Sequence, residues 1–120
     1  MILVDDSRAV RARLASMLGE SAGVVVVAEA WDGPEALRLV RLHAPDVVVL
    51  DLNLPGMSGL EVLAVIKARP APPVVIILTN HPHERYRVAC LRAGADFFFD
   101  KSGDFDRVAG AVARAATPKS

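Results

Sequence analysis

Cysteine is almost missing from this sequence. Cys90 stands alone among 120 residues, which excludes an intramolecular disulfide and a multi-cysteine zinc site and fits a reducing compartment. An excess of either charge is missing too. Fourteen basic residues balance fourteen acidic ones and the pI is near 6.8, so there is no electrostatic footprint for nucleic acid or an anionic membrane. No apolar run approaches the ~18–20 residues that span a bilayer. The chain opens on Met1-Ile2-Leu3-Val4, without the basic region and apolar segment of a signal peptide, so a cytoplasmic location is expected. What is abundant is apolar residues, at 52%. With a mean hydropathy of +0.34, that excludes disorder. The length suits one domain over 1–120 with a single core.

The chain is organised around Val47-Val48-Val49-Leu50-Asp51. An unbroken β-branched run between Pro45 and Pro55-Gly56 predicts a strand buried on both faces, as in parallel sheets. Ligands of such sheets lie just outside the carboxyl ends of the strands, which places Asp51 at the mouth.

Around it, Ile2–Val4 predicts a first strand ending in Asp5-Asp6. Asp6 or Ser7 caps a helix with Val10, Leu14, Met17 and Leu18 inward, broken between Gly19 and Gly23. Val24 to Ala28 predicts the second strand, and Asp32-Gly33-Pro34 opens a helix carrying Ala36, Leu37 and Val40. Ser58 caps a third helix with Val62, Leu63 and Ile66 inward, closed by Pro70 to Pro73. Val74 to Leu78 is the fourth strand, ending in Thr79-Asn80. Pro82 suits the first turn of a fourth helix reaching about Ala93, with Gly94 as its stop. Ala95 to Asp100 is the fifth strand, and Asp104 starts a last helix with Phe105, Val108, Ala109 and Val112 on one face. Five strands alternating with five helices predict an α/β, flavodoxin-like, doubly wound (βα)5 sandwich. Its parallel five-stranded sheet takes the order 2-1-3-4-5.

In that order Asp5, Asp6, Asp51, Thr79 and Lys101 converge at the strand ends. Two unit charges ~4 Å apart repel by about 4 kcal/mol at an effective dielectric of ~20. Clustered carboxylates therefore protonate or recruit a cation. Lys101 brings one positive charge, and an oxygen-rich, water-accessible mouth suits Mg²⁺. A hard cation beside a carboxylate, with a lysine and a hydroxyl opposite, is equipped to hold phosphoryl oxygens. Attack by Asp51 on phosphorus would give an acyl phosphate.

Four stretches, Leu3-Val4-Asp5-Asp6-Ser7, Val49 through Gly59, Ile77-Leu78-Thr79 and Gly94-Ala95-Asp96 through Lys101, match in order and interval the motifs of one family. The chain resembles a response-regulator receiver domain of two-component signalling, of the chemotaxis-regulator kind, over essentially its whole length. The resemblance implies that Asp51 is the phosphoacceptor and that Asp6 ligates Mg²⁺ directly. It implies that Asp5 acts mainly through a bound water and Asn53 through its backbone carbonyl. Thr79 would hydrogen-bond a phosphoryl oxygen, Lys101 would pair with Asp51 or the phosphoryl group, and Phe98 would be the switch aromatic. Three positions depart from the pattern. Ser102 stands where proline, often after a cis bond, usually follows the lysine. Asn80 replaces a smaller residue, and Phe98 lacks the hydroxyl of the common tyrosine.

The expected partner is a sensor histidine kinase or histidine phosphotransfer protein, with a homodimer open and neither nucleic acid nor membrane bound by this domain. Phosphorylation would change the surface of the fourth helix, fifth strand and fifth helix, a switch rather than a turnover enzyme. Two alternatives stand beside it: an unphosphorylated docking module, and a small phosphatase using Asp51 as nucleophile. The chain reads either as a stand-alone receiver or as the receiver part of a longer regulator. His81 and His83 read as solvated loop residues, although His81, two past Thr79, lies where it could influence water access. His43 suits the last turn of its helix, and Cys90 reads as packing. Phe97 and Phe99 share a face opposite Phe98. Trp31 is given no role.

Overall fold

Strand and helix alternate five times in the computed structural model, which describes residues 1–21, 24–80 and 82–116. The elements are β1 (Ile2–Val4), α1 (Arg8–Ser21), β2 (Ala28–Ala30), α2 (Gly33–His43), β3 (Val47–Leu50), α3 (Gly59–Lys67), β4 (Val74–Thr79), α4 (Glu84–Arg92), β5 (Phe97–Asp100) and α5 (Arg107–Ala116). All strand pairs are parallel, in the expected order β2-β1-β3-β4-β5. Alternation along each strand sends side chains to two faces. Ile2, Val4, Val48, Leu50, Val75 and Ile77 pack with buried residues of α2, α3 and α4. Leu3, Val47, Val49, Ile76 and Leu78 pack with α1 and α5. A sheet covered on both faces must have strands apolar on both sides, and β3 is buried at every residue.

The helix starts follow local chemistry. Ser7 Oγ accepts from the Val10 amide, Asp32 Oδ1 from that of Glu35 and Ser58 Oγ from that of Glu61, each satisfying an otherwise orphaned donor. Between Asp6 and Ser7, the serine caps. Helix α4 starts at Glu84, not at Pro82, and His83 before it makes no side-chain capping bond. Cys90 is buried, and burial pushes its thiol up to about 11. It stays neutral and packs, as expected.

The second strand falls later than expected. Val24 to Val27 lie outside the ladder, and β2 is Ala28–Ala30. Ile2 pairs with Ala28, the first rung of the ladder. Met1 holds the segment by its ends, its ammonium donating to Val25 O and its carbonyl accepting from the Val27 amide. The run is half-solvated: Val25 is 72% exposed, while Val24 and Val26 lean on the core.

Three boundaries also move. Helix α1 continues through Gly19 to Ser21, and the expected break at 22–23 lies outside the described residues. Strand β5 starts at Phe97 instead of Ala95. Helix α5 starts at Arg107 instead of Asp104; the Asp104 carboxylate accepts from the Asp100 amide behind it, in a turn where Asp100 Oδ1 accepts from the amide and hydroxyl of Ser102. Its buried face is Val108, Ala111 and Val112, with Phe105 ahead of it and Ala109 half-buried. Among the described residues no peptide bond is cis, and no helix is long and apolar enough to cross a membrane.

Candidate functional site

Asp5, Asp51 and Lys101 each stand one residue past the end of a strand, in phase with Leu3, Val49 and Phe99 on the α1/α5 face. That shared phase is why three separate segments deliver side chains to one place. Their backbones are locked to neighbouring strands. The Asp5 amide donates to Ala30 O, that of Asp51 to Val4 O and that of Lys101 to Thr79 O, at 2.9–3.0 Å.

Lys101 Nζ lies 2.6 Å from Asp5 Oδ2 and 3.1 Å from Asp51 Oδ2. The lysine therefore bridges two carboxylates, with the closer contact to Asp5. The remaining oxygens are also engaged, Asp5 Oδ1 by the Ser7 amide at 2.8 Å and Asp51 Oδ1 by that of Asn53 at 3.2 Å. Asp5 and Asp51 are 2% and 5% exposed, while Asp6 is exposed. Carboxylate oxygens of Asp5, Asp6 and Asp51 lie within 4.8 Å of one another.

Burial is the main influence raising the Asp51 carboxyl above its ordinary value. Lys101 opposes it, the Asp5 charge reinforces it, and the Asn53 amide opposes it. Burial lowers Lys101, but its bonds and charge contacts with Asp5 and Asp51 outweigh that and raise it. The lysine is thus an ammonium at neutral pH. Three carboxylates against one ammonium leave about two negative charges over a few ångströms. Hard oxygen donors, part solvated, with that residual charge fit Mg²⁺.

Thr79 and Phe98 fall in the other phase. Thr79 is fully buried at the end of β4 and Phe98 is half-buried on β5. Phe98 pairs in register with Ile77, two residues before Thr79, and packs on the α2/α3/α4 face. The two are therefore diagonal neighbours on one face. Phe97 and Phe99 lie on the opposite face, stacked with centroids 5.8 Å apart. Asn53 is exposed in the β3–α3 loop. His81 lies outside the described residues. His83 belongs to no metal-capable cluster among the described residues, where the three aspartates form the only one.

Two neighbours were given no role from the sequence. Gly59 opens α3 so close to the site that a Cβ there would stand 2.3 Å from Asp51 O. Arg11 reaches the Asp5 carbonyl. A glycine just after a capping serine was the available signal for the first. No motif announced the second.

A doubly wound parallel sheet with an acidic, lysine-bridged pocket at its carboxyl edge defines a class of small α/β domains. The response regulator receiver domain family matches residues 1–113, and the chain belongs to it. The response regulator UvrY of Escherichia coli is 34% identical over 112 residues, 93% of this chain and 51% of that protein. The chain spans about half the length of the curated relatives it matches. Among solved structures, the signal receiver domain of NarL from Mycobacterium tuberculosis superposes with a TM-score of 0.89 at 32% identity, covering 98% of this chain and 95% of that one. CheY from Borrelia burgdorferi, in a complex with CheX, BeF3 and Mg²⁺, gives a TM-score of 0.87 at 29% identity, covering 98% and 88%.

Proposed function

We propose that this chain accepts a phosphoryl group on Asp51 from the phosphohistidine of a sensor kinase or phosphotransfer protein. The observation that carries the reading is Lys101 bridging Asp5 and Asp51 inside a three-carboxylate pocket. A relative of this fold holding Mg²⁺ and BeF3 supports it. An Asp51 oxygen attacks phosphorus in line. The new O–P bond forms as the P–N bond breaks, and the electron pair leaves with the imidazole. Asp6, Asp51 and the Asn53 carbonyl would hold Mg²⁺, with Asp5 acting through water. When bound, the ion supplies neutralising charge for the phosphoryl oxygens.

The chain's own groups do the rest. Lys101 leaves its bridge to meet the incoming phosphoryl oxygen, a charge-assisted bond. Thr79 donates its hydroxyl to another. Modification adds ~1.5–2 negative charges. Drawing Thr79 toward the phosphoryl group frees space on the face it shares with Phe98, and the ring repacks. The α4/β5/α5 surface changes with it, making this a switch that promotes its own phosphorylation and dephosphorylation. A cytoplasmic setting and a single domain over 1–120 go with this reading.

The test is intact-mass spectrometry after incubation with Mg²⁺ and acetyl phosphate. A gain of one phosphoryl group in the wild type, absent in Asp51→Asn, is the expected result. Steady donor turnover without accumulation would point to a phosphatase. No gain at all would point to a docking module.

A further inference from the structure

The turn that carries Asp5 and Asp6 is braced by a side chain with no part in that chemistry. Arg11 Nη1 donates to the Asp5 carbonyl at 2.6 Å, and Arg11 Nε donates to Glu29 Oε1 at 3.0 Å. The arginine side chain is 12% exposed and its bond to the Asp5 carbonyl is part-buried, whereas the bond to Glu29, 43% exposed, faces solvent.

The register explains why a brace is needed. Val4 pairs with Ala30, the last rung between β1 and β2. One residue on, the Asp5 amide still donates to Ala30 O, but its carbonyl has passed the end of the ladder. A carbonyl without a partner is costly when water is excluded. Here it stands at the rim of a pocket that already holds three carboxylates. Leu3 pairs with Glu29, which puts Glu29 on the face that α1 covers. Arg11, three residues before the buried Leu14 on α1, is placed to span the two. Its planar fork can serve the carbonyl and the carboxylate at once, which an ammonium on a flexible stem does less well.

We infer that Arg11 is a positioning residue for the divalent cation: braced by Glu29, it fixes the Asp5–Asp6 backbone so that both carboxylates stay turned into the pocket. The inference rests on the reading of the pocket as a Mg²⁺ and phosphoryl site. Two effects of Arg11 on a cation oppose each other. Its charge repels the ion, so an arginine acting through charge alone would weaken binding, and its removal would tighten it. An arginine acting through geometry does the reverse.

Isothermal titration of MgCl₂ into the full chain separates them, with circular dichroism confirming that each variant is folded. Arg11→Gln is expected to bind Mg²⁺ about tenfold more weakly, the scale of a lost outer-shell partner, although it removes a repelling charge. Arg11→Lys keeps the charge, loses the fork and weakens binding in the same direction. Glu29→Gln, at the exposed sheet edge, weakens it about threefold and decides the matter should the Arg11 variants fail to fold. Unchanged or tighter binding in Arg11→Gln, or in Glu29→Gln where only that variant folds, overturns the inference. A wild type that shows neither Mg²⁺ binding nor phosphoryl gain overturns the parent reading instead.

Discussion

Lys101 sets the electrostatic balance of the pocket, because among the described residues it alone forms ion pairs with the buried carboxylates of Asp5 and Asp51. Raised above its ordinary 10.5, it contributes stability that is fully present below that value and is lost as pH rises through the folded value. Lys101→Met leaves two buried carboxylates facing each other and is expected to cost about 3 kcal/mol at neutral pH. The same change removes an influence that lowers Asp51, so the native state then holds that proton more tightly. A carboxyl whose folded pKa is raised stabilises at low pH and loses that contribution as pH climbs from its unfolded value through the folded one. Urea unfolding at pH 7 and at roughly pH 4.5 should therefore show the deficit shrinking on acidification. A deficit that stays constant would mean the lysine contributes packing, not charge. At this scale the sequence told which residues meet, since each stands where apolar runs stop at polar residues. It did not tell that Lys101 leans closer to Asp5, which depends on side-chain reach. Nor did it tell of Arg11, whose partner is a backbone carbonyl exposed only by where one ladder ends.

Among the elements, the extents of β1 and β3 and the starts of α2 and α3 were legible, whereas the starts of β2 and α5 were not. Asp32 and Ser58 open α2 and α3 where their side chains predict. The valine run at 24–27 reads as strand from its β-branched composition, whereas the ladder with β1 begins only at Ala28 and leaves Val25 and Val27 exposed. Glycines separate local preference from tertiary constraint in the same way. Gly110 lies inside α5 with nothing within 4 Å of an added Cβ. Gly110→Ala should stabilise the protein by about 0.5–1 kcal/mol, the helix-interior difference between the two residues. Gly59 is also helical, yet its Cβ would meet Asp51 O at 2.3 Å and Leu52 Cα at 2.6 Å. Both are backbone atoms that no rotamer can move aside. Gly59→Ala should destabilise by about 1–3 kcal/mol and slow phosphorylation of Asp51 by acetyl phosphate, since α3 or the β3–α3 loop must shift. Melting curves of the two variants with a phosphorylation time course check both signs. Two changes of the same sign would show that helix propensity outweighs the contact.

For the whole molecule, strand–helix alternation with short connections left few topologies open, and the sheet order followed from it. The pocket is a property of that order, because β1, β3 and β5 supply Asp5, Asp51 and Lys101 from sites far apart in the chain. In an unfolded chain these groups separate and no dense charge remains to attract a divalent ion. Mg²⁺ should therefore bind the native state and hardly bind the unfolded one, stabilising by RT ln(1 + [Mg²⁺]/Kd). That amounts to about 2.7 kcal/mol at a hundredfold excess over Kd, and a domain of this size should gain on the order of 10 °C in Tm. Sodium chloride at matched ionic strength relieves repulsion only by screening and should give a small fraction of that shift. Asp6→Ala is the informative variant, since Asp6 is exposed and its loss leaves the core and the Lys101 bridge in place. Its Tm should stay near that of the wild type without Mg²⁺, and most of the Mg²⁺-dependent rise should vanish. An equal rise in Asp6→Ala would place the ion elsewhere on the surface and remove the assigned ligand set.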